Sequence, residues 1–347
     1  MKVLITGTDG YIGALLAPYL MKRGIEAVGL DTGYYRQGWL YPAPGFRPQT
    51  ITKDVRAVEA ADLGGFDAVV HLAELSNDPL GKQNPTLTHE INHGGSLRLA
   101  NAARAAGIER FVYTSSCSVY GAGTGGEFVT EETPVDPLTA YAECKVLVER
   151  DLRAMADDDF APCFLRNATA YGASPRQRFD IVLNDLCGLA WTTKEIKLQS
   201  DGTPWRPLVH ALDICQAIHL SLEAPVDNIR GEIFNVGSTE QNYRVIEIAK
   251  IVADEFPGCT LSVGAYGGDN RSYRVSFDKI GRLLPDYKCA WTAVEGAKQM
   301  HSVFKTIGMT EAEFRAPAFT RLAMLLRHKA SGALDDNLYW RTPDLLS

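Results

Sequence analysis

The chain has 347 residues, 46% hydrophobic and 22% charged, with a net charge of −7. That length supports a large core and about two domains, and the acidic balance argues against a nucleic-acid partner. No apolar run reaches the length of a membrane span, and MKVLITG turns to glycine too early for a signal-peptide core, so a cytoplasmic protein is expected.

Taken in chain order, KVLIT (2–6) is a short apolar run that ends in a glycine turn. IGALLAPYLMKRG has helical spacing and stops at Gly24, and EAVGLD (26–31) is the next strand. Residues 66–74 predict a strand, 86–107 a long helix, 110–116 a strand, 138–155 a helix and 162–172 a strand. Continuous apolar strands alternating with helices predict a parallel sheet covered on both faces. After residue 172 the rhythm breaks into shorter apolar pieces separated by turn-rich stretches such as SDGTPWRP (200–207). A smaller C-terminal α/β substrate lobe is expected over 173–347, with about 208–236 returning to the first domain and a helix near 317–329. SNDPLGK (76–82) and SPRQRF (174–179) are expected to line that lobe. Seven cysteines (Cys117, Cys144, Cys163, Cys187, Cys215, Cys259 and Cys289) are odd in number and form no C-x-x-C. They predict neither zinc nor a disulfide framework, and no metal site is expected.

GTDGYIG places Gly7, Gly10 and Gly13 directly after a strand and at the opening of a helix. Gly7 permits a tight turn, Gly10 lets backbone approach a pyrophosphate, and Gly13 allows close helix–strand packing. Asp31, at the end of the second strand, stands where an acid meets adenosine ribose hydroxyls and repels a 2′-phosphate. NAD is therefore favoured over NADP, with nearby Arg36 the one feature against it. Together these predict a Rossmann-type doubly wound fold over residues 1–172.

A third group follows the strand RFVYTSS, which should end at the cofactor crevice. Ser116 lies at its end, and Tyr141 and Lys145 sit four apart on the next helix, on one face. A hydroxyl, a phenol and an ammonium could converge on one carbinol or carbonyl. A nearby ammonium lowers a phenol's pKa from about 10 and lets the phenolate take a hydroxyl proton.

GTDGYIG, Asp31, KDV (53–55), HLAE (71–74), Asn92, SSCSVYG, YAECK, LRNATAYG, GTPWRPLVH and FNVG (234–237) together resemble the extended short-chain dehydrogenases/reductases of the NAD-dependent epimerase/dehydratase group. That resemblance implies nucleotide-sugar chemistry with Ser116, Tyr141 and Lys145 as catalytic triad. It implies cofactor contacts from Asp9, Tyr11 and Ile12 in the glycine turn, from Asp54 and Val55 beside adenine, and from Leu72, Ala73 and Glu74 near the ribose and phosphates. Thr114, Ser115 and Ala168 join the cofactor set, and Asn92 supports the active-site network. Cys117, Ser118, Thr169, Asn184, Arg206, Arg271 and Arg274 are the implied substrate side. Arginine suits a nucleotide diphosphate because its planar fork carries five donors and a permanent charge. Glu74 departs from the small residue usual there, and faces either substrate or water.

The family's reactions begin by oxidising a sugar hydroxyl. A 4-epimerase returns hydride to the other face of the resulting ketone. A 4,6-dehydratase carries an Asp-Glu pair where Cys117 and Ser118 stand here, so elimination by that route is disfavoured. A 3,5-epimerase, a decarboxylase, a ketosugar reductase and a non-catalytic NAD-binding sensor are the alternatives. The resemblance also implies a homodimer paired through the helices containing 86–106 and 138–155.

Overall fold

In the computed structural model, which describes residues 1–42, 47–76, 78–123, 127–265 and 272–341, β1 (Lys2–Thr6) sends Leu4 to one face and Val3 and Ile5 to the other. All three are fully buried. A strand buried on both faces needs cover on each side. The other strands of its sheet are β2 (Glu26–Asp31), β3 (Gln49–Thr52), β4 (Ala68–His71), β5 (Arg110–Ser116), β6 (Ala161–Asn167) and β7 (Ile233–Val236). These seven form one parallel sheet in the order β7-β6-β5-β4-β1-β2-β3. The doubly wound sheet read from the alternation is present. β3 was not foreseen: QTIT has no apolar run, and it sits half exposed at the sheet edge.

The sheet is covered by α1 (Gly13–Met21), α2 (Gly95–Ala105), α3 (Ala140–Arg153) and α4 (Ala211–Glu223). Leu16 and Leu20 of α1 and Ile214 and Ile218 of α4 pack on Val3, Ile5, Val70 and Val112. On the other face Leu99 and Ala103 of α2 and Val148 and Leu152 of α3 pack on Leu4, Val69, Phe111 and Tyr113. Each such buried aliphatic side chain contributes about 1.5–3 kcal/mol relative to exposure.

The helix expected over 86–107 is three pieces: Pro85–Thr88, a π-helical stretch His89–Gly94, and α2. Buried Asn92 lies in the widened part, where Leu75 N donates to its Oδ1 at 2.8 Å and its Nδ2 donates to Leu75 O at 3.1 Å. Such local widenings recur at functional sites. The strand expected over 162–172 breaks at Ala168. Past β6, Thr169–Tyr171 pairs with Trp205–His210 in a separate small sheet.

Beyond that break a third apolar cluster forms from Leu183, Leu186, Phe256, Met300 and Phe304, on helices Val182–Thr192, Val245–Glu255 and Ala293–Ile307 and their flanks. The last helix is Arg321–Ala330. The chain then folds back on the β2 end of the first sheet. Tyr34 OH donates to Leu338 O, Trp340 Nε1 donates to Thr32 O at 2.7 Å, and Arg56 Nη1 donates to Asn337 O at 3.0 Å.

Candidate active site

The glycine turn is built as its spacing predicts. Gly7 has φ +79°, and its N–H donates to Leu30 O at 2.8 Å, tying the turn to β2. A Cβ at Gly7 would lie 3.0 Å from Ala73 N, and one at Gly13 only 2.1 Å from Gly7 O. The turn and the start of α1 lie at the carboxyl edge of the sheet between β1 and β4, where the strand order reverses. A cavity of about 750 Å³ opens over this point, with Gly7, Gly10, Tyr11, Ile12 and Gly13 on its wall.

The donor set fits a dinucleotide. Asp31 lines the cavity, 8% exposed, with Oδ2 accepting from Asp9 N at 2.9 Å and Oδ1 from Gly33 N at 2.7 Å. Burial, and then the Asp9 carboxylate, push its pKa up to about 6. Arg36 is engaged elsewhere: its Nε donates to Asp9 Oδ2 at 3.0 Å and its Nη2 to Thr52 Oγ1 at 3.1 Å. The cation that counted against NAD is thus held by Asp9. Asp54, Val55, Leu72 and Ala73 continue the wall. Asp9 itself does not line the cavity, because its carboxylate is turned to Arg36 and to Arg176, 3.7 Å away.

Ser116, Tyr141 and Lys145 all line the same cavity, with Thr114, Ser115, Ser118, Ala168 and Thr169. Thr139 caps α3, its side chain accepting from Ala142 N at 3.2 Å, so the helix begins just ahead of Tyr141. One turn later Lys145 Nζ donates to Thr114 O at 2.5 Å and lies 5.4 Å from the centre of the Tyr141 ring. Lys145 also meets Glu74 Oε2 at 2.5 Å, both side chains buried. Burial pulls the Lys145 pKa down, but the Glu74 carboxylate and then Tyr141 hold it above the ordinary lysine value. Burial raises the Glu74 pKa. Glu74 lines the cavity as well, with its carboxylate held between Lys145 and Tyr113 rather than turned to water.

Underneath, Ser115 Oγ donates to Glu149 Oε1 at 2.5 Å, and Arg166 grips Glu149 with Nε at 3.0 Å and Nη2 at 2.6 Å. Arg166 Nη1 also donates to Tyr120 OH at 3.0 Å. This buried network fastens the end of β5 to α3 and β6, and no spacing in the sequence signals it.

Several expected contacts are corrected. Cys117 is 1% exposed and off the cavity wall; its Sγ donates to Arg166 O at 3.2 Å, and burial pushes the thiol pKa well up. Asn184 is buried behind the wall, accepting from Gly172 N at 3.0 Å and donating to Tyr11 OH at 3.3 Å. Asn92 is likewise a support for Leu75. Arg206 lines the cavity, whereas Arg274 is off it, stacked 4.5 Å from the Phe128 ring. Arg271 and Asn77 fall outside the described residues. From the two segments expected along the lobe, Ser76, Lys82 and Arg178 reach the cavity. Arg178 pairs with Asp180, Nε to Oδ1 at 2.8 Å. Tyr35 and Arg321 were missed entirely. Buried Arg321 comes from the last helix and sits 4.1 Å from the Tyr35 ring.

Comparison with known proteins agrees with this architecture. Residues 3–237 match the family model described as NAD dependent epimerase/dehydratase family. Protein y4nG of Sinorhizobium fredii is 32% identical over 241 residues, 68% of this chain; the chain spans little more than half of that relative, 56%. A UDP-glucose 4-epimerase of Bacillus subtilis is 26% identical over 275 residues, covering 72% of this chain and 80% of that protein. The solved structure of MoeE5 in complex with UDP-glucuronic acid and NAD superposes with a TM-score of 0.75 at 27% identity, covering 88% of this chain and 99% of that one. Among the described residues no helix is long and apolar enough to cross a membrane. A dinucleotide turn at the switch point, an acid at the end of β2 and a hydroxyl–phenol–ammonium group at the end of β5 are thus found where a matching family model spans them, and the chain belongs to the NAD-dependent epimerase/dehydratase family.

Proposed function

We propose that the protein is a nucleotide-sugar epimerase acting at C4 through a transient 4-keto sugar. The observation that carries this reading is the cavity wall itself. Ser116, Tyr141 and Lys145 line it together, while the two positions after Ser116 hold a buried thiol and a serine rather than a carboxylate pair. The names of the relatives support the substrate class.

NAD, when bound, supplies a hydride acceptor that can return the hydride to the same carbon. Gly7, Gly10, Gly13, Asp31, Asp54, Val55, Leu72 and Ala73 would hold it. Tyr141, as phenolate, takes the proton of the sugar hydroxyl, and Lys145 stabilises that phenolate. Ser116 donates to the same sugar oxygen. When the ketone is reduced from its other face, Tyr141 gives the proton back, so the residues end as they began. Arg206 is placed to meet the nucleotide diphosphate.

Residues 1–172 with β7 would then carry the cofactor, and most of the remainder the sugar nucleotide. We further read the protein as a cytoplasmic homodimer paired through α2 and α3, which lie side by side on one face; sedimentation at several concentrations tests this. All seven cysteines are unpaired in the structure, which suits a reducing compartment. A screen of UDP-, GDP-, CDP- and dTDP-sugars with NMR of the products tests the activity. A product differing only at C4 is expected. A 4-keto-6-deoxy product, or no product from any of them, sinks the reading.

A further inference from the structure

Glu74 follows β4 and stands on the cavity wall. Its Oε1 accepts from Tyr113 OH at 2.6 Å, and its Oε2 lies 2.5 Å from Lys145 Nζ. The two side chains of the ion pair are 2% and 4% exposed. Oε2 is close to the ammonium but not aligned for a hydrogen bond, so the contact is a charge contact rather than a directional one. One oxygen of this carboxylate is thus on Tyr113 and the other against Lys145.

We propose that Glu74 is a positioning residue: anchored by Tyr113, it holds the Lys145 ammonium in place and sets the pH at which the Tyr141 phenol ionises. This rests on the reading that Tyr141 handles the proton. The groups that face Lys145 and Tyr141 come from several elements. They are His71 on β4, Tyr113 on β5, Cys144 and Glu149 on α3, Arg178 past the strand Thr169–Tyr171, and Glu74. His71 is kept neutral, its pKa lowered to about 3 by burial, and the Cys144 thiol is pushed up to about 12, also by burial. Glu149 is already paired with Arg166 and Arg178 with Asp180. Among the described residues that leaves Glu74 as the carboxylate opposing the Lys145 charge. An ammonium alone beside a phenol lowers its pKa; an ammonium partly neutralised at 2.5 Å lowers it less.

The test is an ultraviolet phenolate titration of NAD-saturated protein. Each variant is read as a difference against its own Tyr141→Phe counterpart, which isolates Tyr141 from the other tyrosines. Glu74→Gln keeps the size and can still bond Tyr113. It is expected to move the Tyr141 transition down by about one pH unit, the size of one charge removed at short range in a protein interior. Tyr113→Phe loses the same hydrogen bond but keeps the charge, and is expected to move it by less than about 0.3 units. A Glu74→Gln transition that stays in place or rises overturns the proposal. So does a Tyr113→Phe shift as large, since packing would then explain both. Should Glu74→Gln fail to fold, Glu74→Asp, which draws the carboxylate back from Lys145, must still move the transition down; an unmoved one overturns the idea. No sugar is needed. If the transition moves as stated while every nucleotide sugar is ignored, the proposed function falls and this inference stands.

Discussion

Gly13→Ala separates the two jobs assigned to the glycine turn. A Cβ at Gly13 would lie 2.1 Å from Gly7 O, 2.7 Å from Thr8 Cα and 2.9 Å from Gly7 C. All three are backbone atoms. An ordinary carbon contact is about 3.5 Å, so roughly 1.4 Å must open. Gly7 has no room to retreat: its N–H is bound to Leu30 O at 2.8 Å, and Ala73 N stands behind it. The start of α1 must move instead, dragging Leu16 and Leu20 against the sheet. Overpacking of this kind costs about 1–3 kcal/mol of stability. Moving the start of α1 also moves the N–H groups that would meet the pyrophosphate, so NAD affinity is expected to fall about tenfold or more, a loss of about 1.4 kcal/mol. Gly10→Ala is the control. Its Cβ meets only Gly7 O, at 3.0 Å, and Gly7 C, at 4.0 Å, and otherwise enters the cavity. It is expected to melt like the parent yet bind NAD about tenfold or more weakly, a loss of about 1.4 kcal/mol. Melting curves and NAD titration calorimetry read both. A Gly13→Ala protein that melts and binds like the parent refutes the close packing; a Gly10→Ala protein with parental affinity refutes the pyrophosphate placement.

Tyr141→Phe should abolish turnover of any sugar found in the screen while calorimetry still shows NAD binding; near-parental turnover would end the proposed mechanism. Arg166→Met strands the buried Glu149 carboxylate and is expected to destabilise the fold by about 3–5 kcal/mol, read by denaturant unfolding, because the desolvated charge loses its partner. A loss below about 1 kcal/mol would show that the buried pair is not what holds these elements together. Asp31 titrates near 6 in the fold against 3.8 for the unperturbed group, so its proton is bound more tightly when folded. Its contribution to fold stability therefore rises as pH falls from about 6 towards 3.8, while NAD affinity is expected to fall over the same window, an ionised carboxylate being the better acceptor for the ribose hydroxyls it is proposed to meet. Calorimetric affinities that are flat from pH 7 to 5, within about 0.3 log units, would remove Asp31 from the ribose site.

What could be read from the chain was what neighbours in sequence decide. Gly7, Gly10 and Gly13 lie within one turn, and Tyr141 and Lys145 within one turn of helix, so spacing alone carried their geometry. Cys117 entered the substrate set only through the resemblance. The chain turns there, and Ser116 meets the cavity while the thiol points to Arg166 O. The remaining contacts are made by residues far apart in sequence. Glu74 meets Lys145 across 71 positions, and Tyr34 meets Leu338 across 304. Such pairings depend on register and packing that no local pattern encodes. The division has a chemical consequence. The local motifs hold the groups proposed for cofactor binding and proton transfer. Arg178, Asp180 and Arg321, from segments far along the chain, line the same cavity. Exchanging Arg178 is expected to change which nucleotide sugar the product screen finds accepted while calorimetry shows NAD affinity as it was; an unchanged substrate range would remove Arg178 from the choice of sugar.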